Sequence, residues 1–403
     1  MQYSDKVLEH FMNPRNAGEI TDADGVGTIG SEECGDVIRV WIKVSEDEHL
    51  SEIKYKVFGC PAAIACCSMM TELAMGKHLD DAGDLTDEQV ADALGGLPAF
   101  KYHCSNLAAS ALHEAIMNYV LKSSAPPKTI TITTLVDNTT ADKLQSEHGL
   151  SLWIEFGDKR VLFDTGQSDM IIRNAELLGI NLTGADTIVI SHGHYDHTGG
   201  LKAVLDIAAH ATLYLHPKAL KPKYSQKDKK IRMNGMPDSA MEAINFLADS
   251  GRVVWTEMPT EIYPGLFVTS QIPRNTNFEG YGGNFFINQS CQKPDEFLDD
   301  QALFLESAEG LIVVFGCAHS GVVNTLNYVT KLTGRDHIFA VIGGMHLVNA
   351  SKDKLERTID AFKRYGIEKI VPCHCTGIKA IEKFKKVFPD RCFICPVGTR
   401  IDL

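Results

Sequence analysis

The sequence contains no apolar run that approaches the ~18–20 residues needed to span a bilayer. Its first residues, Met-Gln-Tyr-Ser-Asp-Lys, are not followed by the apolar core of a signal peptide. Basic residues are in the minority, with 39 Lys and Arg against 52 Asp and Glu, and the net charge of −13 argues against nucleic acid as a general partner. We therefore expect a cytoplasmic protein without a membrane or nucleic-acid partner.

Cysteines are numerous for a chain without a secretory signal, since 11 occur among 403 residues. Because the cytosol keeps thiols reduced, we expect metal ligation or thiol chemistry rather than disulfides. The length indicates two or three domains, and no repeat occurs at the periods of solenoid proteins.

Four candidate metal ligands fall within six residues, directly after an apolar, β-branched run over residues 187–190 that predicts a buried strand. The spacing His-x-His-x-Asp-His lets the first two histidines project to the same side of an extended segment, and the other two ligands follow from the next turn. Imidazole nitrogen and carboxylate oxygen suit zinc, iron or manganese. A histidine-rich loop without a metal is the alternative. The four residues are His192, His194, Asp196 and His197.

Residues 1–124 predict a small α+β domain. Two segments with alternating apolar residues are typical of half-buried strands, and helical segments lie before and after them. Strands followed by helices are typical of the α+β class. The predicted helices cover residues 6–12, 62–75 and 105–121, and the predicted strands cover residues 37–44 and 53–57.

Three cysteines, Cys34, Cys60 and Cys104, lie at the boundaries of these elements. The N-terminus of a helix lowers the pKa of a cysteine there, because the helix dipole and the free amides favour thiolate. Thiolate binds iron and accepts sulfur, so the three cysteines, with Asp36 and His103 beside two of them, could form one soft-ligand site. Three inert buried cysteines are the alternative.

The domain closely resembles the U-type (nitrogen-fixation/Isc type) iron–sulfur scaffold family. The resemblance implies transient assembly of a 2Fe–2S cluster on Cys34, Cys60 and Cys104, with Asp36 promoting cluster release and His103 as a candidate extra ligand. It also implies sulfur delivery from a cysteine desulfurase. The matching segments are residues 3–11 and 13–16, Cys34-Gly35-Asp36, Gly59-Cys60 and His103-Cys104-Ser105.

Residues 97–101, Leu-Pro-Ala-Phe-Lys, fall where this family carries a chaperone-docking loop, so an Hsp70-type chaperone is a further candidate partner. Ala99 stands where the family has a second proline. Cys66 and Cys67 lie on the helix after Cys60, and we expect them to be buried small residues, with a role in sulfur handling as the alternative.

A proline-containing break in composition predicts a linker over residues 125–128 and a second domain over residues 129–403. Many strands with interspersed helices predict a sandwich of two sheets flanked by helices. The predicted strands cover residues 130–136, 150–156, 161–163, 187–190, 211–215, 253–256, 266–269, 302–305, 311–315, 338–342 and 369–371.

Four more candidate residues each lie just beyond a predicted buried strand, namely Asp164, His319, His346 and His374. In open α/β sheets this edge is where sites assemble, because the backbone is rigid there and the loops leave room. Any one of these histidines could be a hydrogen-bonded structural residue. Together with the cluster over residues 192–197, they favour a metal site.

The second domain resembles the metallo-β-lactamase superfamily, with its αβ/βα sandwich. Its motifs around residues 147–151, 317–321, 343–347 and 374–377 are similar to the branch related to dihydropterin-ribofuranosylaminobenzene phosphate synthase. The resemblance implies that Asp164 orients the ligands. Where the superfamily has a bridging aspartate, this chain has His346, which would be a ligand or would only line the pocket; the third alternative is that the second ion binds weakly. The implied ligands are His192, His194 and His319 for one ion, and Asp196, His197 and His374 for a second.

We therefore expect an iron–sulfur scaffold fused to a metal-dependent hydrolase that acts on a small phosphate-, ester- or thioester-containing metabolite. Asp196 would orient the nucleophile, and His346 is a candidate for the leaving-group proton or the oxyanion. Iron-dependent redox or persulfide chemistry is an alternative, since Cys317, Cys373 and Cys375 lie beside the histidines. A non-catalytic module that senses a metabolite is a third hypothesis.

Two features leave alternatives open. Members of both families often dimerise, so a homo-oligomer is a further expectation. A basic segment over residues 218–232 could rim the pocket and attract phosphate, or it could be a solvated face.

Overall fold

The computed structural model describes residues 3–31, 36–98, 101–123, 129–140, 143–280 and 284–403. The chain divides into two compact units, the first formed by residues 1–124 and the second by nearly all of the remainder. The predicted linker over residues 125–128 lies outside the described residues. Within the described ranges, no helix is long and apolar enough to cross a membrane.

The first unit is a three-stranded antiparallel sheet with helices packed against it, which confirms the predicted α+β class. The glycine-rich first strand and two short helices were not predicted, because their apolar residues follow no clear period. Its strands are β1 (Gly25–Ser31), β2 (Asp36–Val44) and β3 (Leu50–Phe58), and its helices are α1 (Asp5–Met12), α2 (Pro61–Ala74), α3 (Leu79–Gly83), α4 (Asp87–Ala93) and α5 (Tyr102–Ser123).

The core of the first unit lies between this sheet and the helices. Ile38, Val40 and Ile42 alternate along β2 and are fully buried, so one face of the strand supplies the core. Helix α2 is buried over most of its length. Cys66 and Cys67 lie within it with no exposed surface, which confirms that they are core residues.

The second unit is much richer in strands. All of its predicted strands are present. The structure adds the two strands of the basic segment and several short strands that were not predicted. In chain order the strands are β4 (Ile130–Val136), β5 (Ser151–Phe156), β6 (Lys159–Phe163), β7 (Thr187–Val189), β8 (Thr212–Leu215), β9 (Tyr224–Lys227), β10 (Lys230–Met233), β11 (Val253–Trp255), β12 (Thr260–Tyr263), β13 (Leu266–Val268), β14 (Phe285–Phe286), β15 (Ala302–Ser307), β16 (Gly310–Phe315), β17 (Ile338–Gly344), β18 (Lys369–Cys373) and β19 (Arg400–Asp402).

Helices flank these strands on the outside of the unit. A single apolar cluster joins α6, α8 and α9 to the outer face of one sheet. The helices are α6 (Met170–Leu177), α7 (Tyr195–Thr198), α8 (Leu201–Ile207), α9 (Asp238–Asp249), α10 (Val322–Thr333), α11 (Lys352–Arg364) and α12 (Ile378–Val387).

Two mixed sheets form the sandwich. Their strand orders are β11-β8-β7-β6-β5-β4-β19 and β12-β13-β15-β16-β17-β18. Side chains from both sheets meet in one buried cluster that includes Phe163, Ile154, Leu305 and Val314. The strands β6, β7 and β8 run parallel in the first sheet, and β16, β17 and β18 run parallel in the second. The predicted sandwich is therefore confirmed, and each sheet presents a row of carboxyl ends.

The structure differs from the sequence pattern near the end of the second unit. Residues 392–395, Cys-Phe-Ile-Cys followed by Pro396, suggest a terminal strand, but the last strand is β19, which pairs with β4. The basic segment contains a hairpin, β9 and β10, joined by Asp228 and Lys229 in the left-handed conformation that tight hairpin turns require.

The core assignment can be tested with two phenylalanines. Phe304 is fully buried and stacks on Phe267 with 5.1 Å between ring centroids, whereas Phe246 is 73% exposed. Phe304→Ala should lower the free energy of unfolding by about 3–5 kcal/mol, because it leaves a cavity. Phe246→Ala should change it by less than about 0.5 kcal/mol. Chemical denaturation of the full chain measures both, and equal stabilities of the two variants would contradict the assignment.

Candidate functional site

The first unit brings four of its five predicted site residues together. The Sγ atoms of Cys60 and Cys104 lie 3.6 Å apart, and His103 Nε2 lies 3.5 Å from Cys104 Sγ. Asp36 accepts a hydrogen bond from the backbone N–H of Cys60 and lies 3.8 Å from His103. Cys34, the fifth predicted residue, lies outside the described residues. The arrangement places two thiols, a carboxylate and an imidazole at one position.

The two thiols differ in acidity. Burial opposes ionisation of Cys60, but hydrogen bonds from the backbone N–H of Ala63 and from Lys101 outweigh it and lower the pKa of this thiol. Burial, followed by the neighbouring Cys60, raises the pKa of Cys104. The lowered pKa expected at a helix N-terminus is therefore seen for Cys60 and not for Cys104. Lys101 belongs by sequence to the docking loop, but in the structure it is a neighbour of the thiols. Ala99 and Phe100 of that loop lie outside the described residues.

In the second unit, the carboxyl ends of the parallel strands bring all six predicted ligands to one place. The ring of His192 lies 4.2 Å from that of His197 and 4.8 Å from that of His319, measured between centroids. His374 Nε2 lies 3.3 Å from His197 Nε2 and 3.4 Å from the carboxylate of Asp196. All six are buried, with at most 8% of their surface exposed. Residues from both sheets thus share one buried polar centre.

Hydrogen bonds hold the outer nitrogens of three of these histidines. His197 Nδ1 donates to Asp164 at 2.6 Å, and His192 Nδ1 donates to the hydroxyl of Ser191, which in turn donates to Asp164. His374 Nδ1 donates to the side-chain oxygen of Asn138 at 3.0 Å. Each imidazole therefore turns its other nitrogen, Nε2, toward the centre, which is the arrangement that orients metal-binding histidines.

The inner nitrogens lack sufficient protein partners. Both ring nitrogens of His319 and Nε2 of His194 are buried without a hydrogen-bond partner within the described part of the chain. His192 Nε2 lies 2.9 Å from His194 Nδ1. Because the lone pairs of two imidazole nitrogens repel each other at this distance, a proton or a cation must lie near the pair. Imidazole nitrogens with a buried carboxylate suit divalent zinc, iron or manganese. The residues present therefore fit the metal centre that the sequence implies.

Carboxylates give the centre a negative field. Burial disfavours protonated His197, but Asp164 and Asp196 outweigh it and raise its pKa to about 9. Burial likewise opposes ionisation of Asp196, yet His197 and hydrogen bonds from His148 and His374 hold its pKa well below the usual range. A field that stabilises a positive charge also favours a metal cation.

His148 is a candidate that sequence reasoning missed as a site residue. Its Nε2 lies 3.2 Å from the carboxylate of Asp196, and about half of the side chain is exposed. The hydrogen bond to Asp196 raises the pKa of His148. The sequence signal that could have identified it is its position between Glu147 and the strand predicted over residues 150–156.

His346 and two cysteines border the centre. The ring of His346 lies 4.4 Å from that of His319, and the residue adopts the left-handed conformation with φ 45°. Cys317 Sγ lies 3.3 Å from His197 Nε2 and 3.3 Å from Cys375 Sγ. Cys373, by contrast, is buried in the apolar core between the sheets.

A buried ion triad supports the loop over residues 192–197. Lys223, which the sequence placed in a basic segment, is only 2% exposed and donates to Asp295 and Asp299 at 2.9 and 2.8 Å. Asp299 also accepts the backbone N–H of Gly193 at 2.8 Å. A Cβ at Gly193 would lie 2.0 Å from the carbonyl oxygen of Ala219, so only glycine fits there. The triad thus fixes the backbone between two predicted ligands.

Two family models match the chain. The model described as NifU-like N terminal domain matches residues 2–125. The model described as Metallo-beta-lactamase superfamily matches residues 147–374, which is more than half of the chain.

Individual proteins show the same division. Iron-sulfur cluster assembly scaffold protein IscU 1 of Archaeoglobus fulgidus is 56% identical over 121 residues, which are 30% of this chain and 78% of that protein. The 7,8-dihydropterin-6-methyl-4-(beta-D-ribofuranosyl)-aminobenzene-5'-phosphate synthase of Methanocaldococcus jannaschii is 34% identical over 255 residues, which are 61% of this chain and 86% of that protein. Tm1679, whose crystal structure is described as that of a metal-dependent hydrolase of the beta-lactamase superfamily, is 32% identical with a TM-score of 0.58, and the match covers 68% of this chain and 99% of that one.

The ion triad predicts a large effect of a single lysine. Lys223→Met should lower the free energy of unfolding by about 3–5 kcal/mol, because it leaves two buried carboxylates without their cation. Lys202→Met is the matched control, since Lys202 is half exposed and pairs with Asp206 one helical turn away. The control should lose less than about 1 kcal/mol. Urea denaturation compares the two, and a Lys223→Met protein as stable as the control would refute the role of the triad.

Proposed function

The chain belongs to the metallo-beta-lactamase superfamily and, through its first unit, to the NifU-like scaffold family; from this premise we propose that it joins an iron–sulfur assembly scaffold to a metal-dependent hydrolase. The observation that carries the hydrolase proposal is the orientation of the imidazoles. Asp164, Ser191 and Asn138 hold the outer nitrogens, and the inner nitrogens converge beside the buried carboxylate of Asp196.

For the first unit, we propose that Cys34, Cys60 and Cys104 hold a transient 2Fe–2S cluster, with His103 as a candidate extra ligand. The contacts among Cys60, Cys104 and His103 support this assignment. Asp36, which competes for the same position, promotes release of the cluster. A cysteine desulfurase supplies the sulfur, and an Hsp70-type chaperone is a candidate partner at residues 97–101.

For the second unit, we propose one or two zinc, iron or manganese ions. When bound, such an ion supplies Lewis-acid chemistry, because it lowers the pKa of water toward about 7 and polarises the scissile bond of a substrate. The proposed ligands are His192, His194 and His319 for one ion, and Asp196, His197 and His374 for the other.

The residues around the centre divide the work of hydrolysis. Asp196 orients the attacking water through its carboxylate. His148, half exposed and 3.2 Å from Asp196, moves the proton between that carboxylate and solvent. His346 lies against His319, where it can protonate the leaving group or stabilise the oxyanion.

A small metabolite with a phosphate ester, ester or thioester is the proposed substrate. The Methanocaldococcus jannaschii relative is named for a product that carries a 5'-phosphate, which supports the phosphate class.

Iron-dependent redox or persulfide chemistry is the second candidate function. It is favoured by Cys317 Sγ, which lies 3.3 Å from His197 Nε2, and by Cys375 beside it. Thiols at a metal centre next to a sulfur-accepting scaffold could carry persulfide.

Replacing one histidine tests the hydrolase proposal. In a full-length background in which Cys60→Ser and Cys104→Ser prevent cluster binding, His194→Ala should remove metal and hydrolysis of phosphodiester and thioester probes together. The loss of rate should exceed the roughly 10–100-fold that substitutions of ligand-orienting residues cause. His210→Ala is the control, because His210 is exposed and lies outside the centre.

Metal analysis of the same Cys60→Ser, Cys104→Ser background, purified anaerobically, accompanies the kinetics. Zinc, near two per chain, would favour hydrolysis, and iron with a redox-active spectrum would favour the second candidate. Full activity and full metal content in His194→Ala would overturn the assignment.

A carboxylate variant tests the scaffold proposal. The Asp36→Ala protein should assemble the 2Fe–2S chromophore. It should retain the cluster longer than the unmodified chain when an apo-acceptor is added, because it lacks the carboxylate that promotes release. Asp47→Ala is the control, since Asp47 is an exposed residue of the same unit. Absorbance during transfer measures the half-life of the cluster. Equal half-lives in Asp36→Ala and Asp47→Ala would contradict the role of Asp36.

A further inference from the structure

We infer that Cys317, Cys375 and His346 form a thiolate-containing metal position in the second unit, contiguous with the histidine centre, and that Cys317 is the ligand shared between them. The inference rests on the proposed metal centre and deepens it, because it assigns a thiophilic ion to the site. Neither cysteine belongs to the ligand set that the family resemblance implies, and His346, for which the resemblance leaves a ligand role open, here takes that role in place of the proton or oxyanion role.

The first support is the proximity of the donor atoms. One donor atom each from Cys317, His346 and Cys375 lies within 4.8 Å of the other two. Cys317 is buried, whereas Cys375 and His346 are partly exposed, so an ion can reach the position from solvent. Bonds of zinc to sulfur and nitrogen are about 2.0–2.3 Å long, and one ion can therefore contact all three donors.

The second support is the central place of Cys317. Its Sγ also forms a group of the same tightness with His192 and His319, and another with His197 and His374. A sulfur shared by three groups stands between the two proposed histidine positions. The sequence places no carboxylate at the end of β17, where the superfamily has its bridging aspartate, so a thiolate can supply the missing negative charge.

The third support is how the backbone presents these residues. A Cβ at Gly344 would lie 2.9 Å from Cys375 Sγ and 2.3 Å from the carbonyl oxygen of Gly316, so only glycine lets β17 approach so closely. The backbone N–H of His346 donates to Cys375 Sγ at 3.3 Å. Nδ1 of His346 is buried without a hydrogen-bond partner among the described residues. The thiol of Cys375 is thus held in place, and Nδ1 of His346 beside it is available to bind an ion.

The chemistry of the donors selects the ion. Without metal, the thiol of Cys375 donates a hydrogen bond to Cys317 Sγ at 3.3 Å. A divalent ion replaces the thiol protons, so each thiol that becomes a ligand releases one proton, however many ions its sulfur binds, and no electron is transferred. Thiolate favours zinc or ferrous iron over manganese or magnesium. The second unit should therefore prefer a thiophilic ion.

Cobalt(II) substitution of the full chain tests the inference, because a thiolate ligand gives cobalt a near-ultraviolet charge-transfer band that nitrogen and oxygen ligands do not give. The background carries Cys34→Ala, Cys60→Ala and Cys104→Ala, so that the scaffold thiols contribute nothing. In this background the band should appear, and Cys317→Ala should remove more than half of it, because the sulfur of Cys317 belongs to all three donor groups. Cys375→Ala should reduce it by about half, since one of two thiolates remains.

Cys373→Ala is the matched control. In sequence Cys373 lies between Cys317 and Cys375, but in the structure its side chain is buried in the apolar core. It should leave the band unchanged. Visible d–d bands report cobalt bound by any ligand and so show that a variant has kept its fold and its histidine centre. Visible bands with a near-ultraviolet spectrum unaffected by Cys317→Ala and Cys375→Ala would overturn the inference and leave the hydrolase proposal standing. Absence of both kinds of band would overturn the metal centre as a whole.

Discussion

The carboxylate of Asp164 is the contact on which the centre of the second unit depends. It accepts hydrogen bonds from the backbone and hydroxyl of Ser191 and from Nδ1 of His197. These bonds tie the end of β6 to the loop after β7 and turn two imidazoles inward at once. Because Asp164 is fully buried, no water replaces these bonds, and the loop has one arrangement rather than several.

Backbone strain is concentrated at the same strand ends. Asp164, Ala318, His346 and His374 all adopt left-handed conformations with φ between 45° and 60°. Such conformations cost on the order of 1–3 kcal/mol each and persist only where the surroundings hold them. Here the apolar core between the two sheets lies directly behind the strand ends and provides that support.

The architecture and both families were predictable, and the comparisons and the structure confirm them. Buried parallel strands are apolar runs, such as residues 338–342, and they are visible without any tertiary information. The positions of the histidines just beyond those runs follow from the same rule. Their roles as ligands stay predictions, although the structure places them together.

What could not be predicted depends on contacts between distant residues. Lys223 stands among other lysines in sequence, and its partners lie 72 and 76 residues away, so nothing local distinguishes it from a solvated residue. The hydrogen bond of His148 to Asp196 is hidden in the same way. The acidity of Cys104 was mispredicted, because burial, which the sequence does not show, outweighs the helix terminus.

The hydrogen bond from Gly193 to Asp299 has a consequence for the apoprotein. The acceptor is itself ion-paired to buried Lys223, so this amide can exchange with solvent only when a large part of the unit opens. The segment that presents His192 and His194 is therefore ordered before any ion arrives. Association then involves little loss of conformational entropy, and the affinity of the centre reflects its donors rather than the ordering of a loop.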